Sequence, residues 1–395
     1  MFYQFSDRVR MLKGSAIREI FKFAADPQVI SLAGGNPAPE LFPNRELAEI
    51  SSELLAEQPV LSLQYGVTEG YGVLREQVRE RLARKEQIDT KANDVLIISG
   101  GQQGIDLLSK ILLNEGDTVL VEEPSFIGAL NTFRSYNAHL VGIPMNDDGI
   151  DIERLEQAVK DHLNTKMIYT IPTFQNPSGI TMSQEKRRAL YEVARRHDLI
   201  ILEDNPYGEL SFDGAHHQTI KSMDEDGRVV YCGSFSKILS PGIRVGFVCA
   251  APKIIEKMTI AKQTTDVHTP MLTQLLVSEY LKRYDIDAAI VKMRELYRKK
   301  CTTMLTAIDR YFPAEVTHTV PTGGLFVWAT LPDQFDTLEL SKECAAKKVV
   351  YVPGSTFMVD MEKKCSALRL NYSTMTDERI EEGVRILGQI FSELT

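Results

Sequence analysis

A single lysine, Lys237, stands in the segment Ser234 to Gly246, which reads SFSKILSPGIRVG. Two hydroxyls and the guanidinium of Arg244 lie near it in sequence, and such groups bind a phosphate dianion. A lysine between core strands is unfavourable unless its amine is neutral or covalently bonded, and apolar strands are predicted on both sides, at 229–232 and 245–248. The pattern therefore predicts a reactive amine beside an anion site. A solvated lysine in a serine-rich loop is the alternative.

A glycine-rich turn and an amide-bearing turn follow two other predicted strands. The residues SGGQQG follow strand 95–98, where the N–H groups of Gly101 and Gln102 would open a helix and face an anion. Asn176, in NPSG, follows strand 167–171. Ligands of open α/β sheets bind at the carboxyl ends of strands, so both turns are candidate ligand contacts. A plain tight turn and a helix cap are the alternatives.

A carboxylate ends the most apolar predicted strand, 199–202. Asp204 and Tyr207 lie in the sequence DNPY that follows it. A buried acid is unfavourable without a partner, and a protonated pyridine nitrogen is one such partner. Asp204 is therefore a candidate partner for a cationic nitrogen on a ligand.

Composition excludes several classes of function. The 395-residue chain has a formal net charge of −9 and a pI near 5.5, which argues against nucleic-acid and anionic-membrane partners. Five scattered cysteines without a CxxC pair predict reduced thiols in a cytoplasmic protein. The seven histidines form no HxxxH or HExxH pattern, so no metal site is predicted. No apolar run reaches the roughly 18 residues of a membrane span, and no signal-peptide segment is expected.

From about residue 90, apolar strands alternate with amphipathic helices, and the clearest helix is 185–197. This βαβ rhythm predicts a mostly parallel central sheet covered by helices, which is an α/β fold. One long helical stretch is expected from about 265 to 310. A smaller α+β region follows, with strands at 324–331, 349–352 and 368–371 and a closing helix at 377–394. The predicted units are an irregular N-terminal arm (1–40), a large domain (41–285) and a small C-terminal domain (286–395).

Together these motifs resemble the fold-type I aminotransferases, which use pyridoxal 5′-phosphate. SGGQQG, NPSG, DNPY and SFSKxxxPGxRxG occur in that family's order, each after a strand. The resemblance spans essentially the whole chain, from LAGGNP near the start, which contains Gly35, to LRLNY near the end, which contains Arg369. It is nearest to the branch of 2-aminoadipate and kynurenine aminotransferases.

The resemblance implies a role for each matching residue. Lys237 would be the Schiff-base lysine and then the base at the substrate's α-carbon, and Asp204 would pair with the ring nitrogen. Asn176 and Tyr207 would bind the ring hydroxyl, while Arg369 would clamp the substrate α-carboxylate, with Gly35 beside the substrate. The implied phosphate ligands are Ser234, Ser236, Arg244 and the N–H groups of Gly101 and Gln102.

Two residues depart from the family's commoner pattern. Gly101 stands where this branch often has serine, so one phosphate hydroxyl would be missing. Phe126 stands where a tyrosine is commoner in the turn that stacks on the ring, which keeps the stacking and loses the hydroxyl.

Two further residues carry expectations about assembly and substrate choice. Tyr65 matches the family tyrosine that reaches the phosphate of the neighbouring subunit, which implies a homodimer. Arg18 lies in an arm segment resembling the mobile helix by which 2-aminoadipate aminotransferases recognise a substrate's distal group. A packed loop tyrosine and a surface arginine are the alternatives.

The expected activity is transfer of an amino group, in a ping-pong cycle, between an L-amino acid and a 2-oxo acid. 2-Aminoadipate, glutamate, aromatic and branched-chain amino acids are the candidate donors. Other chemistry on the same cofactor, such as β-elimination or decarboxylation, is the alternative. A cofactor-dependent regulator is disfavoured because no basic helix-turn-helix precedes the arm.

Overall fold

The strands form three sheets in the computed structural model, which describes residues 3–10 and 26–393. In chain order the described strands are β1 (Ile30–Ser31), β2 (Asp94–Ile98), β3 (Thr118–Glu123), β4 (His139–Asn146), β5 (Gly149–Ile150), β6 (Thr165–Thr170), β7 (Ile200–Asp204), β8 (Val229–Ser234), β9 (Gly246–Ala250), β10 (Thr317–His318), β11 (Phe326–Thr330), β12 (Val349–Val350), β13 (Val352–Pro353) and β14 (Ala367–Asn371).

The largest sheet has eight strands in the order β2-β9-β8-β7-β6-β3-β4-β5. Strands β8, β7, β6, β3 and β4 run parallel, whereas β9 and β5 run antiparallel to their neighbours. Strands β3 and β7 are buried along almost their whole length, as expected for a sheet with both faces covered. The predicted α/β class with a mostly parallel central sheet is therefore confirmed.

Helices connect the strands and cover the sheet. The described α-helices are α1 (Asp7–Arg10), α2 (Asn44–Glu57), α3 (Pro59–Leu63), α4 (Gly72–Arg81), α5 (Gly101–Leu112), α6 (Ile127–Ser135), α7 (Ile152–Asp161), α8 (Gln184–Arg196), α9 (Pro252–Gln263), α10 (Met271–Arg283), α11 (Ile286–Tyr311), α12 (Thr337–Ala346) and α13 (Asp377–Ser392).

The C-terminal part contains a four-stranded antiparallel sheet in the order β10-β11-β14-β13. One continuous cluster of buried apolar side chains extends from Ile97 in the central sheet through Phe174 to Phe326 and Leu387. The division of the chain into an arm and two domains stays a prediction. In residues 3–10 and 26–393, no helix has the length and apolarity needed to cross a membrane.

Three expectations about secondary structure were wrong. The arm is not wholly irregular, because β1 pairs with β12 in parallel and α1 forms near the start. The helical stretch 265–310 is two helices, because Asp285 accepts hydrogen bonds from the N–H groups of Asp287 and Ala288 and so caps α11. The single strand expected at 349–352 is two short strands in different sheets, β12 and β13.

Candidate active site

A cavity of about 450 Å³ opens at the carboxyl ends of β7 and β8. It has the size and position of a small-molecule site in an α/β fold. The structure brings most of the sequence-predicted site residues into its lining: Gly35, Gly101, Gln102, Phe126, Asn176, Asp204, Tyr207, Ser234, Ser236, Lys237, Arg244 and Arg369.

Lys237 reaches into the cavity from the turn after β8. Its Nζ donates a hydrogen bond of 2.6 Å to the carbonyl oxygen of Gly35. Burial, together with the positive charges of Arg369 and Arg244, lowers the pKa of Lys237 to about 8. A large fraction of this amine is therefore neutral near pH 8, as a nucleophile or a base requires.

Asp204 is the last residue of β7, and its side chain is buried. Burial raises its pKa to about 6, while a hydrogen bond from the hydroxyl of Tyr169 acts in the opposite direction. The two oxygens, Asp204 Oδ2 and Tyr169 Oη, are 2.9 Å apart. Within the described ranges, no basic side chain contributes to the pKa shift of this carboxylate. A cationic group on a ligand would therefore gain a strong partner here.

Tyr207 is buried beside Asn176, with its ring edge-on to Phe326 at 5.8 Å. Burial raises the pKa of the Tyr207 phenol well above its ordinary value. The charge of Asp204 also raises this pKa. The charge of Arg369 and a hydrogen bond from Asn176 lower it, but each has a smaller effect than burial. The phenol therefore stays protonated and can donate a hydrogen bond into the cavity.

Arg369 lies on β14 and contacts two aromatic rings, with its guanidinium carbon 4.3 Å from the ring centroid of Phe326 and 5.0 Å from that of Phe357. Nη1 donates to Asn176 Oδ1 at 2.8 Å and Nη2 to the carbonyl of Ala33 at 2.6 Å. Nε is buried and has no hydrogen-bond partner among residues 3–10 and 26–393. Burial lowers the pKa of Arg369 to about 10, so the group is still cationic at neutral pH. A buried cation of this kind is suited to binding a carboxylate.

The start of α5 and the Lys237 turn form a cradle for an anion. Gly101 is the first residue of α5, and Gly100 before it has φ +86°. A Cβ on Gly100 would overlap the guanidinium of Arg244, so glycine supplies both the backbone conformation and the space. Ser234 Oγ donates to Ser236 Oγ at 2.9 Å. The helix N-terminus, two hydroxyls and a guanidinium thus line the same cavity, and such groups bind anions.

Sequence reasoning missed three aromatic residues at this site. Tyr169 contacts Asp204, and Phe326 and Phe357 contact Arg369. The signal for Tyr169 was a tyrosine inside an apolar strand, because a buried phenol needs a hydrogen-bond partner. Phe326 and Phe357 carry no local signal, since their contacts with Arg369 arise only in the folded chain.

A buried amide behind the cavity was also missed. Gln175 donates from Nε2 to Glu122 at 3.2 Å and to the carbonyl of Pro124 at 2.7 Å. Its Oε1 accepts hydrogen bonds from the N–H and the hydroxyl of Ser178. Gln175 thereby joins the turn that carries Phe126 to the turn of the NPSG motif.

Two predicted site residues are not placed in this cavity. Tyr65 is 80% exposed and lies edge-on to His268, with ring centroids 5.8 Å apart. Arg18 lies outside the described residues. A search of the described ranges finds no group of three or more His, Cys, Asp or Glu side chains able to hold a metal ion.

A family model, aminotransferase class I and II, matches residues 27–387. The chain belongs to this family. Its membership confirms the resemblance predicted from the motifs, and it establishes that the chain is an aminotransferase.

Three named relatives each align with almost the whole of this chain. An aromatic-amino-acid aminotransferase of Thermococcus litoralis is 41% identical over 98% of this chain and 94% of its own length. The crystal structure of a Pyrococcus horikoshii kynurenine aminotransferase, with PMP, KYN as substrates and KYA as products, is 38% identical with a TM-score of 0.95, over 99% of this chain and 97% of that one. The crystal structure of an α-aminoadipate aminotransferase of Thermus thermophilus, complexed with N-(5′-phosphopyridoxyl)-L-leucine, is 38% identical. Its TM-score is 0.91, and the match covers 99% of this chain and 97% of that one.

Pyridoxal 5′-phosphate is the cofactor of this class I and II aminotransferase. The cavity fits that group on several counts. The cradle beside Gly100 suits a phosphate dianion. The carboxylate of Asp204 has no positively charged side chain as a partner in the described part of the chain. Lys237 presents an amine of lowered pKa. The donor set therefore matches the phosphate, the ring nitrogen and the aldehyde of the cofactor.

Proposed function

We propose that this aminotransferase moves an amino group between an L-amino acid and a 2-oxo acid in a ping-pong cycle. The proposed donors are 2-aminoadipate, glutamate and aromatic or branched-chain amino acids, with 2-oxoglutarate as an acceptor. One observation carries the proposal: the amine of Lys237 and the buried cation of Arg369 line the same cavity. A proton-transfer group and a carboxylate site are thus close enough to act on one amino acid. The names of the relatives support the range of side chains.

Lys237 would hold the cofactor covalently and, once displaced by the substrate, would move the proton at the substrate's α-carbon. The lowered pKa of its amine suits this role, because a base works best when its pKa is near the working pH. When bound, pyridoxal phosphate supplies an electron sink that stabilises negative charge on that carbon. Asp204 would keep the ring nitrogen protonated.

The remaining cavity residues would orient the cofactor. Asn176 and Tyr207 would bind the ring hydroxyl, and Phe126 would stack on the ring face. The proposed phosphate ligands are Ser234, Ser236, Arg244 and the N–H groups of Gly101 and Gln102.

Arg369 would bind the α-carboxylate of the substrate. Its guanidinium lies over two aromatic rings and donates hydrogen bonds from two nitrogens, so little rotamer freedom would be lost on binding. Gly35 would lie beside the substrate, because it lines the cavity and its carbonyl accepts the hydrogen bond from Lys237.

We further propose a homodimer in which Tyr65 reaches the phosphate bound by the partner subunit. Tyr65 lies in a stretch of the chain, residues 55–73, that is rich in exposed apolar side chains, and a second copy of the chain would bury them. The exposed side chains of this stretch are Leu55, Val60, Leu61, Leu63, Tyr65, Val67 and Val73.

Arg18 would bind the distal carboxylate of an acidic substrate, and it would leave the pocket for apolar and aromatic side chains.

We also infer a reducing compartment, the cytoplasm, because the five cysteines are free and buried.

Substrate profiling of the purified, cofactor-loaded enzyme tests the proposed function. Each candidate donor except glutamate is assayed with 2-oxoglutarate, and glutamate is assayed with the 2-oxo acid of another donor, because glutamate and 2-oxoglutarate only regenerate each other. Initial rates are measured over a grid of both concentrations. Parallel lines in double-reciprocal plots and conversion of the cofactor spectrum by the donor alone are expected for a ping-pong cycle. Intersecting lines, or no transfer from the acidic, aromatic or branched-chain donors, would contradict the proposal.

A further inference from the structure

Tyr169 forms the closest polar contact of Asp204. The two residues lie on adjacent parallel strands, β6 and β7, in which Tyr169 is opposite Leu202. Side chains two residues apart on a strand share a face, so Tyr169 and Asp204 meet on the same side of the sheet. Their oxygens are 2.9 Å apart, and Tyr169 is fully buried.

The Tyr169 hydroxyl is a fixed donor. Its ring is packed edge-on against Phe133 at 5.6 Å, and a tyrosine has only two side-chain torsions to restrain. Burial raises the pKa of Tyr169 well above its ordinary value, and the negative charge of Asp204 raises it further. The phenol is therefore protonated throughout the working pH range and keeps donating to the carboxylate.

The carboxylate of Asp204 has two oxygens with different surroundings. Oδ2 accepts the hydrogen bond from Tyr169. Oδ1 lies on the side of Gly101, 3.9 Å from the position that a Cβ on this glycine would take, and Asp204 also lines the cavity. A hydrogen bond on one oxygen fixes the plane of the carboxyl group and thereby aims the other oxygen.

We propose that Tyr169 is a positioning residue for the transamination reaction: its hydroxyl holds Asp204 Oδ2 so that Oδ1 faces the cofactor nitrogen and the carboxylate remains charged. This inference rests on the proposed role of Asp204. Tyr169 acts through Asp204 and touches neither substrate nor cofactor. Its contribution is that of a hydrogen bond to a buried charge, which is worth more than one between neutral groups.

The experiment compares Tyr169→Phe, Asp204→Asn, the double variant and Tyr351→Phe. Tyr351 is a matched control, because it is buried and its hydroxyl donates at 2.7 Å to the carbonyl of Thr337, away from the cavity. Four quantities are measured on each protein: the pH profile of kcat/KM, the affinity of the apoenzyme for pyridoxal phosphate, the thermal midpoint, and the infrared carboxyl band of the apoenzyme as a function of pH.

Tyr169→Phe should lower kcat about 10-fold or more, as expected for a lost hydrogen bond to a charged group. The acid limb of its pH profile should move to higher pH, because the hydrogen bond that favours the charged form of Asp204 is gone. In the apoenzyme, the infrared band of protonated Asp204 should likewise appear at higher pH. Tyr351→Phe should stay within about twofold of wild type in rate, with both titrations unmoved.

The double variant separates a positioning role from packing. If Tyr169 acts through the charge of Asp204, removing its hydroxyl should change the rate less than about twofold in the Asp204→Asn background. The contrary results are that Tyr169→Phe lowers the rate equally in the wild-type and Asp204→Asn backgrounds, or that it leaves the pH profile and the infrared titration unmoved. Either result would overturn the inference and leave Tyr169 a packing residue. The infrared titration of the apoenzyme decides the matter even if Tyr169→Phe lowers the thermal midpoint. A near wild-type rate for Asp204→Asn would overturn the proposed role of Asp204 and this inference with it.

Discussion

Arg369 donates a hydrogen bond of 2.8 Å to the side-chain oxygen of Asn176, across 193 positions of the chain. The contact joins β14 of the C-terminal sheet to the turn after β6 of the central sheet. A substrate carboxylate bound by Arg369 would therefore be held in a fixed relation to the ring hydroxyl bound by Asn176. In the proposed mechanism the geometry of the reaction would thus depend on an arginine placed by one sheet and an amide placed by another.

Replacing Arg369 by lysine should lower kcat/KM for every amino acid donor by about 100-fold or more. Lysine keeps the charge, but it loses the planar pair of donors and the stacking on Phe326 and Phe357. Steady-state kinetics with several donors checks this, and Arg310→Lys is the control. Arg310 also lies over an aromatic ring, that of Tyr311, but it is exposed. A loss confined to one donor would contradict the carboxylate role.

The rate at which the apoenzyme takes up pyridoxal phosphate should rise with pH and level off above about pH 8. Only the neutral amine of Lys237 attacks an aldehyde, and the lowered pKa makes it neutral above that pH. Because Arg369 is the charge that lowers this pKa most, Arg369→Gln should move the midpoint to higher pH. Stopped-flow absorbance checks both statements. A rate that rises only near pH 10 would show an amine of ordinary pKa.

Tyr65→Phe should weaken the affinity for pyridoxal phosphate several-fold without dissociating the dimer. In the proposed dimer the hydroxyl would contact a phosphate in the partner's site, whereas the ring would pack among the exposed apolar side chains around it. Light scattering measures the mass, and cofactor titration measures the affinity. Tyr311→Phe, which removes a hydroxyl bonded to Glu381, should leave both unchanged. A fully active monomer at assay concentration would refute the shared site.

Arg18→Ala should raise KM for glutamate and 2-oxoglutarate by about 10-fold while leaving leucine and phenylalanine nearly unchanged. A charged contact with the distal carboxylate would be lost, and apolar side chains never use it. Arg8→Ala, on the same arm within α1, is the control. Equal effects of Arg18→Ala on acidic and apolar substrates would leave Arg18 with a structural role alone.

The positions of several cavity-lining residues were predictable from the sequence because they follow strands. Asp204 and Ser234 end β7 and β8, and Gly101 begins the helix after β2. Apolar runs reveal the strands, and the carboxyl ends of parallel strands meet at one edge of the sheet. The polar residues that directly follow these strands in the sequence are therefore the ones that meet at this edge of the sheet.

The residues that support this site were not predictable, because their contacts are made between distant segments. The sequence indicates that the phenol of Tyr169 needs a hydrogen-bond partner, but the partner is identified as Asp204 only when β6 and β7 are aligned. The contacts of Arg369 with Phe326 and Phe357 require β11, β14 and the turn after β13 to be packed together. The break between α10 and α11 depends on a single cap, Asp285, within a stretch that is otherwise helix-forming.

The most direct test of the account is the site at which the cofactor is attached. Borohydride reduction of the yellow, loaded enzyme, followed by proteolysis and mass spectrometry, should find the added phosphopyridoxyl mass on the peptide that contains Lys237. Lys237→Ala should take up no borohydride-stable label and should lose nearly all activity. A label on another lysine, or turnover by Lys237→Ala at close to the wild-type rate, would contradict the central claim.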